Sequence, residues 1–116
     1  MNKRMSVRKD FSSEFIPVKV SGYGNRNTTC ILKDISDTGI SFYSFSDSIT
    51  PTLGKYITVE FELKDQKHKF ELEILREDRK HFGYMNGARI VGINTPNSRR
   101  FDKLIDSLFS KQYSFI

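Results

Sequence analysis

Few residues of this chain could do chemistry, and arginine and aspartate lead them. Arg4 and Arg8 stand four apart in the N-terminal run MNKRMSVRKDF. A guanidinium is planar, permanently charged and forked, so it grips phosphate or carboxylate oxygens two at a time. Lys3, Arg4, Arg8 and Lys9 place four positive charges in the first nine residues, with no acid among them. Such an arm suits an anionic partner, and equally reads as a solvated tail. A second cluster lies at 33–42, KDISDTGISF, where Asp34, Ser36, Asp37, Thr38 and Gly39 separate two β-prone segments. An ionised carboxylate accepts hydrogen bonds only, a serine gives and accepts, and glycine allows a positive φ or a close approach. An Asp-rich β-turn closed by glycine explains the same residues with no ligand at all.

The remaining candidates argue against catalysis. His68 and His81 sit in charged hairpin regions, with no Asp, Cys or second His at ligand spacing, so no metal site is expected. No serine stands in a nucleophile-elbow setting and no glycine loop resembles a P-loop. Cys30 falls in a strand pattern and reads as a small core residue; as the single cysteine it excludes an internal disulfide. Glu60 with Glu62 and Glu71 with Glu73 point to the solvent side of strands. The chain is expected not to be an enzyme and to need no cofactor.

The elements that must position these residues follow from periodicity. At 116 residues and 37% hydrophobic, the chain fits one modest domain. No apolar run reaches the ~18–20 residues of a membrane span, and the basic N-terminus lacks an apolar segment behind it. A soluble, cytoplasmic protein with no membrane insertion is expected. Residues 1–14 read as a basic flexible arm, and 15–116 as the folded domain. FIPVKVSGY, TTCILKDI, GISFYSF, YITVEFEL, KFELEILR and GARIVGI read as six short strands, the fourth and fifth forming a hairpin. The period then changes. Phe101, Leu104, Ile105, Leu108 and Phe109 mark one face of a helix over about 98–112, with Thr95, Pro96, Asn97 or Ser98 at its start. Six strands with no crossover helix predict a small antiparallel barrel or sandwich.

Together, Arg4-x-x-x-Arg8, 25 intervening residues (9–33) and Asp34-x-Ser36-x-x-Gly39 resemble the PilZ family, receptor domains for cyclic di-GMP. The family pattern is RxxxR followed after some twenty to thirty residues by [D/N]xSxxG, and every fixed position is filled. The resemblance covers essentially the whole chain and implies a six-stranded antiparallel β-barrel with a C-terminal helix. It further implies cyclic di-GMP as the ligand, held by Arg4, Arg8, Asp34, Ser36 and Gly39 on the barrel's outer surface. On that reading the arginines fork onto guanine O6 and N7 or onto phosphate, and Asp34 accepts from the guanine N1–H and N2–H₂. Ser36 donates to phosphate or accepts from a base, and Gly39 lets the ligand approach. Many family members carry an arginine just before RxxxR; here Lys3 keeps the charge without the fork. The output expected is ordering of the arm, read by a downstream protein partner, since no output domain is visible. Two other readings stay open: a non-binding interaction module of the same fold, and a nucleic-acid-binding small barrel using the basic arm. The acid at the base-reading position favours guanine recognition over nucleic acid.

Overall fold

The computed structural model describes residues 8–23, 26–45, 56–81 and 83–109. Lys3 and Arg4 lie outside the described residues, as do the loop expected within 46–55 and the chain after 109.

The described residues form seven strands and one helix: β1 (Lys9–Asp10), β2 (Pro17–Tyr23), β3 (Arg26–Ile35), β4 (Gly39–Ser44), β5 (Tyr56–Leu63), β6 (Gln66–Lys80), β7 (Gly83–Gly92) and α1 (Thr95–Phe109). All pairings are antiparallel, in the order β1-β3-β2-β5-β6-β7-β4, and β4 returns to β3. β2 to β7 therefore close into a six-stranded antiparallel barrel, with β1 as an additional strand and α1 at the C-terminal side. Closure removes the exposed edges that an open sheet of this size would present.

Alternation fills the barrel. Ile57, Val59, Phe61 and Leu63 of β5 and Phe70, Leu72 and Ile74 of β6 are all buried, while Glu62 and Glu71 face out. Val18, Val20, Cys30, Leu32, Ile35, Ile40 and Phe42 complete the interior. Burial pushes the Cys30 thiol up to about 12, so it is an inert core group at neutral pH. The β5–β6 hairpin turns on two residues only, Lys64 and Asp65, both at positive φ (53° and 64°). That is the backbone of a two-residue type I′ loop, whose twist matches the flanking strands. Strand pairing resumes at Leu63 with Gln66, so His68 belongs to β6. It shares the inward phase of Phe70 and is buried, contrary to its charged neighbourhood in the sequence.

β6 and β7 extend well beyond the apolar alternation, pairing Glu77 with Asn86 and Lys80 with Gly83. The sequence suggests a connection over REDRKHFGYMNG, because past Ile74 the strands no longer line the core and lose their apolar phase.

α1 starts three residues before the predicted 98. Its cap is Asn94, outside the Thr95–Ser98 candidates: the Asn94 side-chain oxygen accepts the Asn97 backbone N–H at 3.1 Å. Asn94 O then accepts from Ser98 N at 2.8 Å, the first helical bond. The helix packs on β6 and buries Phe101 and Leu104. Phe101 meets the Phe70 ring edge-on at 5.2 Å, and Phe70 meets Phe61 at 5.8 Å. No helix among the described residues is long and apolar enough to cross a membrane.

Candidate functional site

The basic arm is not structureless from Arg8 onward. Phe11, the one large apolar ring among the charges, is buried in the core and only 3% exposed. Its backbone N–H donates to Lys33 O at 2.7 Å. With Phe11 anchored, Lys9 and Asp10 fall into register opposite Ile35 and Asp34 of β3. A turn follows, in which Asp10 Oδ1 accepts from Ser12 N at 2.8 Å and Ser12 Oγ at 2.7 Å. The Ser12 hydroxyl, then its backbone N–H, hold the Asp10 carboxyl below its usual range.

This register carries Arg8 to the end of β3. Its Nη1 donates to Asp34 Oδ1 at 2.7 Å, joining the two sequence clusters across 26 positions. A bulge helps to present the acid. β3 and β4 pair Leu32 with Phe42 and then Asp34 with Ser41, leaving Lys33 as the extra residue. The inward phase therefore passes from Leu32 to Ile35, and Asp34 lies opposite Asp10 of β1, its side chain 13% exposed.

The turn between β3 and β4 is built by Ser36. Its N–H donates to Gly39 O at 2.9 Å, and its hydroxyl accepts from Thr38 N at 3.3 Å and Gly39 N at 3.2 Å. Ser36 is fully buried, so its hydroxyl shapes the turn from inside. Gly39 has no positive φ; among the described glycines only Gly83 does. Its need is steric: a Cβ at Gly39 would strike the Ala88 carbonyl oxygen of β7, and would lie 3.1 Å from the Ala88 carbonyl carbon. The glycine thus lets β4 and β7 meet, with Ile90 N donating to Thr38 O at 2.8 Å beside it.

Arg8, Thr38 and Gly39 form one side of a cleft of about 120 Å³ whose other side is Leu75, Arg76 and Arg89. A second bulge sits here. β6 pairs Ile74 with Ala88 and then Arg76 with Gly87, so Leu75 is extra and 54% exposed. Three guanidiniums and one exposed aliphatic side chain thus converge. Each arginine meets a carboxylate: Arg8 with Asp34, Arg76 with Asp78 at 3.5 Å, Arg89 with Glu73 at 2.7 Å. All three arginine side chains are 46–61% exposed. Of their partners Asp78 is half exposed, whereas Asp34 and Glu73 are only 13% and 18% exposed. The ~0–1 kcal/mol of an exposed pair therefore applies to Arg76–Asp78. In all three the guanidinium itself stays open to an incoming anion. Each guanidinium has five donors, so one carboxylate does not exhaust it. The arrangement can therefore take an anion with planar, hydrogen-bonding faces.

Of the residues expected from sequence, Arg8, Asp34, Ser36 and Gly39 come together, and Arg4 and Lys3 lie outside the described residues. Leu75, Arg76 and Arg89 were missed. The signal for the first was an apolar residue directly after inward-facing Ile74, out of phase with the alternation. Arg76 and Arg89 reach the cleft only through strand pairing. Among the described residues, no group of His, Cys, Asp and Glu could hold a metal ion.

Comparison with known proteins agrees with this architecture. No curated protein matches the chain in sequence. Solved structures match it in fold. The PilZ domain of YcgR from Escherichia coli, solved with c-di-GMP, superposes with a TM-score of 0.71 at 13% identity, covering 96% of this chain and 95% of that one. The K. pneumonia MrkH–c-di-GMP complex gives 0.75 at 14% identity, over 98% of this chain and 56% of that one. The Bacillus subtilis inhibitor of motility MotI/DgrA gives 0.75 at 16% identity, over 97% and 53%. The chain therefore spans about half the length of the last two. The PilZ domain family model matches residues 2–108, nearly the whole sequence with both arginine and aspartate clusters inside it, and the chain belongs to the PilZ family.

Proposed function

We propose that this protein is a cyclic di-GMP receptor that binds the dinucleotide in the arginine cleft and passes the signal to a partner protein through its N-terminal arm. The observation that carries this reading is the Arg8–Asp34 pair, which sets a forked donor beside a pure acceptor at the edge of the Ser36–Gly39 turn. A guanine presents the matching set: O6 and N7 accept, N1–H and N2–H₂ donate. Arg76 and Arg89 add positive charge for the two phosphates, and exposed Leu75 offers an apolar surface to a base. The c-di-GMP complexes of the related YcgR and MrkH folds support the same ligand class. Ser36 acts chiefly by holding the turn; a direct contact with the ligand requires the Thr38 hydroxyl, 3.3 Å away, to move aside.

The anchor at Phe11 gives the arm a defined pivot. Residues from β1 onward are held to the barrel, and Arg8 is held to Asp34 through a half-exposed guanidinium that the ligand can engage. Ligand capture by Arg8 and Arg4 then sets the path of the arm's first residues, which the partner reads. The reaction is recognition alone, with no bond made or broken.

Calorimetric titration with cyclic di-GMP tests this on the wild type and on Arg8→Ala. Saturable heat for the wild type and an affinity reduced about tenfold or more for the variant are expected, since a bidentate arginine contact contributes ~1–3 kcal/mol. A silent wild-type titration overturns the receptor reading.

A further inference from the structure

A second pocket lies between the β5–β6 hairpin and α1, sharing no residue with the arginine cleft. Its volume is about 300 Å³, and Leu63, Lys64, His68, Arg100, Lys103 and Leu104 line it. That is the lower end of the size of small-molecule sites.

The imidazole of His68 is the unusual feature. The residue is 1% exposed, and its ring packs against Phe61 at 5.4 Å and Phe101 at 6.3 Å. Neither Nδ1 nor Nε2 has a hydrogen-bond partner among the described residues. Buried polar groups in folded proteins are nearly always paired, so an unpaired ring lining a pocket points to a group that enters it. Burial, and then the charge of Arg100, hold the His68 pKa below the ordinary value, which keeps the ring neutral at pH 7. A neutral imidazole offers one N–H donor and one acceptor.

The rim supplies charge of one sign. Lys64, Arg100 and Lys103 line the pocket, with no carboxylate among its described lining residues. Lys64 Nζ donates to Ser107 Oγ at 2.9 Å, tying the hairpin to the helix, and Arg100 Nη1 donates to Asn97 Oδ1 at 2.9 Å. The walls are the buried side chains of Leu63 and Leu104.

We propose that this pocket binds a carboxylate on an apolar stem, one oxygen accepting the His68 N–H and the charge facing Arg100 and Lys103. A compact phosphate fits less well: it would lose more hydration between leucine walls for a single N–H at the floor. The stem lies along Leu63 and Leu104. Either a free organic acid or the glutamate side chain of another protein has this chemistry.

The test is the NMR signal of the His68 ring in the full chain. Only two histidines are present, and exposed His81 serves as the internal reference. Benzoate and a capped glutamate, N-acetylglutamate methylamide, are titrated separately against sodium chloride at equal ionic strength. A saturable shift of His68 alone is expected, with its pKa rising because a neighbouring carboxylate favours the imidazolium. Response to benzoate only assigns a free acid; response to the capped glutamate assigns a protein side chain. Arg100→Gln/Lys103→Gln, at two exposed helix positions, weakens the response about tenfold, as loss of charge-assisted contacts requires. His68→Phe, which keeps the ring volume, abolishes calorimetric binding of the same probes. No response to either probe, a chloride response of equal size, or an unchanged affinity in the charge variant overturns the proposal.

Discussion

Gly39→Ala separates what the barrel needs from what a ligand needs. A methyl group at Gly39 meets backbone, the Ala88 carbonyl and the Arg89 Cα, which cannot swing away as a side chain tip would. β4 and β7 must part there, straining the neighbouring Ile90 N to Thr38 O bond of 2.8 Å. Overpacking of this kind costs about 1–3 kcal/mol, and one weakened hydrogen bond adds about 1 kcal/mol. Against this, alanine restricts the unfolded chain and returns ~0.4–1 kcal/mol. The net is a destabilisation of about 2 kcal/mol. At about 4 °C per kcal/mol for a domain of this size, Tm falls by roughly 8 °C. Urea and thermal unfolding followed by circular dichroism measure it. A variant as stable as the wild type refutes the argument. If such a variant also lost cyclic di-GMP binding, the glycine would serve the ligand's approach and not strand closure.

Phe11→Ala removes the ring that anchors the arm. It is expected to cost about 3 kcal/mol in urea denaturation, and to weaken cyclic di-GMP binding as well because β1 no longer delivers Arg8. Arg76→Ala/Arg89→Ala leaves stability within about 2 kcal/mol, since both guanidiniums are exposed and of their partners only Glu73 is mostly covered, yet lowers ligand affinity about tenfold or more in fluorescence competition. His68 has a folded pKa below its ordinary value of ~6.5, so the unfolded chain binds the extra proton first. Stability is full above that value and declines as pH falls through it towards the folded pKa. His68→Phe lacks this component, and denaturation midpoints measured from pH 8 to 5 show the difference.

The strands were legible because apolar residues alternate, most clearly in β5 and β6, and the helix because its apolar stripe changes period. Periodicity left barrel or sandwich open, and the barrel followed from the family resemblance. Arg8, Asp34, Ser36 and Gly39 were legible as spacing. What the sequence hid has definite causes. β1 spans two residues and has no period of its own; it exists because Phe11 is buried. The outer parts of β6 and β7 carry no apolar phase since they pass beyond the core. His68 was masked by charged neighbours, although its phase with Phe70 points inward. The bulges beside the cleft, at Lys33 and Leu75, left traces in shifted parity, Leu32 to Ile35 and Ile74 followed by Leu75. Their consequence, a cleft that gathers Arg8 from just before β1, Arg76 from within β6 and Arg89 from within β7, depends on pairing between distant segments. Ser36 and Gly39 carry a double meaning: types expected at a ligand are here also used to make the turn and close the barrel.

The role of Asp34 tests the account most directly. In the free protein it pairs with Arg8, so a mere counterion would compete with the ligand, and removing it would tighten binding. If it reads a guanine edge, removing it must weaken binding. Calorimetric titration of cyclic di-GMP into the wild type, Asp34→Ala, Arg8→Ala and the double variant decides between these. Saturable wild-type binding is expected, with each single variant weaker by about tenfold or more and the double variant little worse than either, since the two residues act as one recognition unit. Affinity equal to or above wild type in Asp34→Ala would contradict the account.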